Sequence, residues 1–553
     1  MNNDLPLQEF ILENITGIAK QHTFDSNEAT EAYGATTFSP NIKLDGAVKV
    51  QNVAQLQDIV RCANKTLMLD LYPISTGNNW GYGSFTGKSE KKTLVLDLSP
   101  MNKITPTSKE LGLITLQPGV TQGQLCEYLQ QNDWDFITPT TGAGPTCSIL
   151  SNALERGYGI TAHTDHFGAV NSLKAVALHP EFDAAIIESA VSELDSSGTD
   201  FIDKTYKYGL GPYIEGLYTQ SNLALVTEGT IRLASKSTHV CAFYLRCFEP
   251  EKLDDIVNCI REILLKCSYV PAINLMDKRR IVSMTEQNPN GPQAHKVMTN
   301  EQVDKFVKTE GHPEWLVLGS ISGEYELVEA TKKIVRRLTK GLGKLLFSDS
   351  APLTVLKKGL SSSIAEKTRL TAIKQVEKLI QQIDSLDEGL NIVKGIPNQI
   401  AIPLAYWRNQ YVKPDKSKTL NPAKDECGLF WYAPLIPMNA NAINNFAKFV
   451  RTTTIEFGIE PFITFTNLRH DCIDSTVPIV FDKKSPESLR LAVECLDKLV
   501  SEGLSLGYVP YRINTNQQQT ILDKNSPYWR TVDKIKEALD PNRILNGTRY
   551  NPR

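Results

Sequence analysis

Ser75-Thr76-Gly77-Asn78-Asn79-Trp80-Gly81-Tyr82-Gly83 lies between two strand-like apolar runs, Met68–Ile74 and Thr93–Leu98. Its three glycines and two asparagines let the backbone enter positive φ and turn several N–H groups toward one point. Such a nest holds a phosphate without a cation. The spacing is G-x-x-x-G-x-G with no helical pattern after it, so this is not the dinucleotide fingerprint. It is not a Walker loop either, because Gly83-Ser84-Phe85-Thr86-Gly87-Lys88-Ser89 has too few residues between its glycines. On spacing alone a phosphate cradle and a plain surface loop both stay open. Working outward, Ala47–Val50 reads as a strand, Asn52–Asn64 as an amphipathic helix and Ile114–Leu116 as a strand, with Thr121 as N-cap of a helix to about Gln131. Strand, helix, strand, glycine loop, strand is the layout of a nucleotide site in an α/β or α+β unit.

The middle of the chain changes character. Cys241–Cys247 reads as a strand, Glu249–Lys266 as a helix, Trp315–Ser320 as a strand and Tyr325–Lys340 as a helix. The order recurs as strand Leu429–Pro437, helix Ala440–Phe457, strands Phe462–Asn467 and Val477–Phe481, helix Pro486–Glu502 and strand Tyr508–Ile513. This predicts an antiparallel sheet covered by helices and built from two related halves. Glu286–Gln293 and Asn409–Asp425 read as loops, and Pro527–Asn546 as helical up to Asp540-Pro541.

Composition narrows the function classes. The 553 residues are 41% hydrophobic and 22% charged, with net charge −3, so no global basic field favours nucleic acid. At about 150 residues per domain the length allows three or four domain-sized units. No apolar run approaches the roughly 20 residues that span a bilayer. The start, Met1-Asn2-Asn3-Asp4-Leu5-Pro6, lacks a basic segment followed by an apolar one, so the cytoplasm is the expected compartment, with no membrane or nucleic-acid partner. Ten scattered cysteines without a C-x-x-C, and eight histidines without an H-E-x-x-H, argue against a disulfide scaffold and a metal enzyme.

Three further features each carry two readings. Gly142-Ala143-Gly144 to Asn152, leading into a helix at Ala153–Arg156, makes either an anion or ring-edge site or a tight loop. Asp165 is either a general base or simply a cap or surface carboxylate. Arg512, after Tyr511, either pairs with a buried anion or ends a strand in a surface salt bridge. The basic helix with Lys332, Lys333, Arg336, Arg337, Lys340 and Lys344 offers a contact for an acidic partner or a membrane surface, but Glu324, Glu326 and Glu329 before it give the pattern of a solvated, dipole-compensated helix.

Taken in order, these segments resemble the flavoprotein family of vanillyl-alcohol oxidase, 4-cresol dehydrogenase and eugenol oxidase. The matching pieces are STGNNWGYG at 75–83, TLVLDLSPMNKI at 93–104, LQPGVTQGQL at 116–125, SNALERGYGITAHTDHFG at 151–168 and YGLGPYIEGLYTQSNLALVTEGTI at 208–231. They continue with FITFTNLRH at 462–470, TVPIVFDKK at 476–484, YVPYRI at 508–513 and ALDPNRIL at 538–545, so the likeness covers roughly residues 45 to 548. It implies a two-domain α+β fold: an FAD-binding domain made of 1–235 with 511–553, and an antiparallel-sheet cap of 236–510. By that resemblance, Ser75, Thr76, Gly77, Asn78, Asn79, Trp80 and Gly81 cradle the FAD pyrophosphate. Ser148, Asn152 and Gly159 lie along the flavin, and Val226 gives it a backbone contact.

Four catalytic positions carry over. Tyr82, Tyr511 and Arg512 match a trio that binds a phenolate oxygen, and Asp165 matches a carboxylate beside the flavin's reactive nitrogen. The implied reaction is oxidation of a para-substituted phenol or related aromatic through a quinone-methide-like intermediate, with O2 or an electron-acceptor protein taking the electrons. A homodimer stays open. One departure stands out: several relatives join FAD to a His just before the strand that here begins at Thr476, where this chain has Asp474-Ser475. Non-covalent FAD is therefore the expectation, and His470 serves as a covalent anchor only if the loop is re-registered. The stretch 269–425 matches poorly, leaving substrate size open. The alternatives are the same fold acting on an alcohol, hydroxy acid or natural-product intermediate, with Arg512 holding a carboxylate, or a flavin-binding protein without turnover.

Overall fold

Thr93-Leu94-Val95-Leu96 is apolar at successive positions, as a strand buried on both faces must be. In the computed structural model this run forms β3 (Lys92–Asp97), which pairs in parallel with both β1 (Gly46–Lys49) and β2 (Leu69–Ile74). The structure describes residues 6–78, 80–83, 89–159, 165–199, 201–286, 288–291, 296–349, 388–546 and 549–552. Between β1 and β2 runs α1 (Val53–Thr66), started by the Asn52 side chain accepting from Gln55 N at 3.0 Å. It buries Leu56, Ile59, Val60 and Ala63. The glycine loop leaves the carboxyl end of β2, where open α/β sheets present ligands.

A second, antiparallel sheet is centred on β4 (Leu113–Leu116), β5 (Val170–Val176) and β6 (Leu225–Arg232), with β6 between the other two. Thr121 caps α2 (Gln122–Gln131) through a reciprocal capping box with Gln124, as its position predicted. The short helix expected at Ala153–Arg156 sits earlier, as α3 (Ile149–Leu154), because the Ser148 hydroxyl accepts from Ser151 N and starts it there.

Nine described strands form a third sheet, in the part of the chain expected to be the cap and called the cap sheet below. Its path runs β10 (Lys344–Asp349), β7 (His239–Cys247), β9 (Trp315–Gly323), β8 (Ile273–Asp277), β13 (Thr464–Asn467), β14 (Cys472–Phe481), β12 (Pro434–Pro437) and β15 (Val509–Pro510), with β11 (Gly428–Tyr432) also on β14. Helices α4 (Leu253–Lys266) and α6 (Tyr325–Leu338) cover one half, and α7 (Ala440–Glu456) and α8 (Pro486–Ser505) the other. α5 (Lys278–Thr285) follows β8 directly. The expected single strand Leu429–Pro437 is divided at Ala433, whose carbonyl accepts Tyr511 N at 3.1 Å. The expected strand Tyr508–Ile513 shrinks to β15 because the chain after Pro510 turns away from the sheet to place Tyr511 and Arg512.

α9 (Pro527–Leu539) ends before Asp540, as expected. The tail then returns to the first sheet: Leu71 N donates to Ile544 O at 2.7 Å and Asn546 N to Leu71 O at 3.0 Å. Lys536, fully buried, bonds Asp540 at 2.6 Å and locks this return. Among the described residues, no helix is long and apolar enough to cross a membrane.

Candidate functional site

The carboxyl end of β2, the start of α3 and the cap wall from β8 to β15 enclose a cavity of about 510 Å³. Ser75, Thr76, Gly77, Asn78 and Trp80 form one side of it, and Asn79 lies outside the described residues. Gly77 sits at φ +70, and a Cβ there would meet nothing within 4 Å, so the loop faces open space. The backbone N–H groups of Thr76, Gly77 and Asn78 have no acceptor among the described residues. Gly81 is off the wall and anchors the loop instead: its N–H donates to Thr37 Oγ1 at 2.8 Å and its carbonyl accepts Trp431 N at 2.9 Å. A Cβ on Gly81, at φ +79, would lie 2.6 Å from Trp431 Cδ1. Only glycine allows that close approach.

Ser148, Asn152, Gly159 and Val226 line the same cavity. Ser148 donates to Pro118 O at 2.6 Å, and Asn152 shares a hydrogen bond of 3.0 Å with His166 Nδ1, which packs against Gly159.

Tyr82 arrives from the glycine loop and Tyr511 from beyond β15, and their hydroxyls meet at 2.9 Å. The Arg512 guanidinium lies 4.6 Å from the Tyr82 ring centre and 5.3 Å from that of Tyr511. Its Nε donates to Glu155 O at 2.8 Å, while its buried Nη2 has no partner among the described residues. Burial raises both tyrosine hydroxyls, against the opposing pull of Arg512, so both stay protonated and able to donate. A cation with a free N–H beside two protonated hydroxyls is a receptor for a single oxyanion.

Asp165 is not on the cavity wall: it is exposed, and its Oδ1 accepts Gly168 N at 2.9 Å. His470 is exposed in the turn between β13 and β14 and is also off the wall. Two acids are on the wall: Glu155, which is paired with Arg549, and Asp474, on β14, opposite Thr466. Burial pushes the Asp474 carboxyl up to about 8 despite Arg512, and Oδ1 has no partner among the described residues. In the sequence Asp474 stands out only as a residue found where several relatives carry a His. An acid inside the strand Cys472–Phe481, among β-branched residues, was the available signal. Arg280 is a second wall residue that sequence reading passed over.

The sequence pattern of the FAD-binding domain matches residues 44–178. Over 551 residues the chain is 27% identical to 1'-carboxy-chondrochloren decarboxylase of Chondromyces crocatus, covering 99% of this chain and 98% of that one. It is 25% identical over 511 residues to the flavoprotein subunit of 4-cresol dehydrogenase [hydroxylating] of Pseudomonas putida, covering 90% and 86%. The fold superposes on 4-ethylphenol oxidase from Gulosibacter chungangensis, in its isoeugenol complex, with TM-score 0.82 at 20% identity, over 100% of this chain and 99% of the other. The open cradle at Gly77, with its unengaged N–H groups, fits the diphosphate of FAD. The FAD-binding pattern and these whole-length likenesses converge: the chain is an FAD-dependent oxidase or dehydrogenase, similar along its whole length to members of the vanillyl-alcohol oxidase and 4-cresol dehydrogenase family.

Proposed function

We propose that this enzyme oxidises a para-substituted phenol at its benzylic carbon. The observation that carries this reading is the Tyr82–Tyr511 hydroxyl pair at 2.9 Å beside an Arg512 N–H without a partner among the described residues. A phenol titrates near 10, so ionising it at neutral pH takes about three units, or about 4 kcal/mol. Hydrogen bonds to a charged group contribute about 1.5–3 kcal/mol each, enough for Tyr82, Tyr511 and Arg512 together to hold the phenolate. The phenolate pushes electrons toward its para carbon, and loss of the benzylic hydride leaves a quinone methide. FAD, when bound, supplies the hydride acceptor. In its ionised form Asp474, an acid on the wall without an ion-pair partner, takes the proton from water adding to that carbon; the exposed Asp165 would reach the site only by moving.

Ser75 to Trp80 hold the diphosphate, with Ser148, Asn152, Gly159 and Val226 along the flavin. Residues 1–235 with 511–553 act as the cofactor module and 236–510 as the cap, a division supported by the tail's hydrogen bonds to Leu71. The exposed position of His470 supports non-covalent FAD. The second reading, an acid-bearing natural-product intermediate, is favoured by the likeness to a decarboxylase of a carboxylated substrate.

Anaerobic titration of the yellow protein with 4-alkylphenols is the test: bleaching of the flavin is expected. A protein that carries FAD yet is reduced by none of them overturns the phenol reading. Acid precipitation reports the linkage, with free FAD expected in the supernatant, and reoxidation by O2 separates oxidase from dehydrogenase.

A further inference from the structure

Lys278, Arg279 and Arg280 occupy the first turn of α5, where the helix dipole disfavours cations and no acidic residue is present in the turn. Two of the three have acids to offset this. Lys278 bonds Asp304 at 2.9 Å and Glu314 at 3.0 Å, and Arg279 bonds Glu460 at 3.0 Å. Arg280 turns the other way and lines the cavity. It is 9% exposed and has no carboxylate within 4.0 Å among the described residues. Its Nε donates to Thr464 Oγ1 at 3.3 Å and its Nη1 to Ser283 Oγ at 3.2 Å. The nearby Asp277 is engaged elsewhere: its Oδ1 accepts Arg280 N at 3.0 Å and Ile463 N at 3.3 Å, and its Oδ2 lies 3.6 Å from Arg451. A buried guanidinium held only by hydroxyls is expensive unless an anion joins it.

We propose that Arg280 binds a carboxylate on the substrate's side chain, so that the cavity takes a 4-hydroxyphenyl compound whose para chain ends in an acid. This rests on the phenol reading above and specifies its substrate class. Arg280 meets the wall at Thr464 on β13, whereas Arg512 follows β15, with β14 and β12 between. A ligand with a phenol at one end and an acid at the other can then meet both arginines on the one cavity wall. The same guanidinium would not distinguish a neutral para chain from none.

The test uses the FAD-loaded enzyme and calorimetric Kd values for 3-(4-hydroxyphenyl)propionate, the corresponding propanamide and 4-ethylphenol. The wild type is expected to bind the acid at least tenfold tighter than the amide. Arg280→Met should bring that ratio to about one, and Arg280→Lys should restore part of it, with FAD content measured for each. Equal binding of acid and amide by the wild type, with 4-ethylphenol still bound, overturns the proposal and leaves the phenol reading standing. It is also overturned if Arg512→Met rather than Arg280→Met erases the ratio, or if Arg280→Met loses FAD. Binding of none of the three ligands overturns both readings. The wild-type ratio decides the matter even if the Met variant does not fold.

Discussion

Behind the cap sheet, Arg279 and Arg408 share the buried Glu460 at 3.0 and 3.9 Å, and Arg279 also bonds Met298 O and Asn300 Oδ1 at 2.9 and 2.8 Å. On the cavity wall, Arg280 and Asp474 are buried and Arg512 is half-buried, yet no carboxylate lies within 4.0 Å of either arginine among the described residues. The first region is closed in charge: both guanidiniums face one buried carboxylate, although Arg408 Nε has no hydrogen-bond partner among the described residues. The second is open, and the missing partners are groups a ligand brings. Buried charge alone therefore does not mark the candidate site here; a buried charge on the cavity wall without a counter-charge does.

Breaking the closed region should give the largest effect on stability. Glu460→Gln leaves two buried guanidiniums without their anion and is expected to cost about 3–5 kcal/mol in chemical unfolding. A loss of less than 1 kcal/mol would mean that the two regions do not differ in kind. Removing a cation from the open region should act on binding instead. Arg512→Met is expected to weaken phenol binding by about tenfold to a hundredfold, the worth of a hydrogen bond to a charged group, with stability little changed.

Asp474 sharpens the contrast through pH. Its carboxyl titrates at about 8 when folded, against about 3.9 for an unperturbed Asp, so between these values the folded state holds the extra proton. Its contribution to stability is present below about pH 4 and is lost as pH rises toward 8. The wild type's melting temperature should accordingly fall, relative to that of Asp474→Asn, as pH is raised from 5 to 8; parallel curves would show that the acid is not held protonated. The smallest expected effect is at His470, where substitution by Ala should leave FAD content unchanged, measured by absorbance after gel filtration.

Much of the framework was readable in one dimension. Thr121 and the helix after it, and the strands either side of the glycine loop, follow from capping chemistry and apolar runs that act within a few residues. Tyr82, Tyr511 and Arg512 were reached through ordered resemblance, since nothing local tells that residues more than 400 positions apart share a hydrogen bond. Asp165 and His470 carried the expected residue types, but exposure and turn geometry place both away from the wall. Asp474 and Arg280 were passed over for the converse reason: each belongs to an ordinary-looking element, and only the sheet order turns it inward.

By itself the sequence determined the class of the fold, the glycine cradle and the helix starts, because these depend on φ preferences, periodicity and caps within a single turn or strand. Which charges are closed and which are left open was decided only by the tertiary structure. Arg279 and Arg280 are chemically identical neighbours, and the direction each takes from the first turn of α5 gives one to Glu460 and the other to the cavity. Electrostatic pairing acts through space over a few ångströms, and adjacency along the chain carries no record of it.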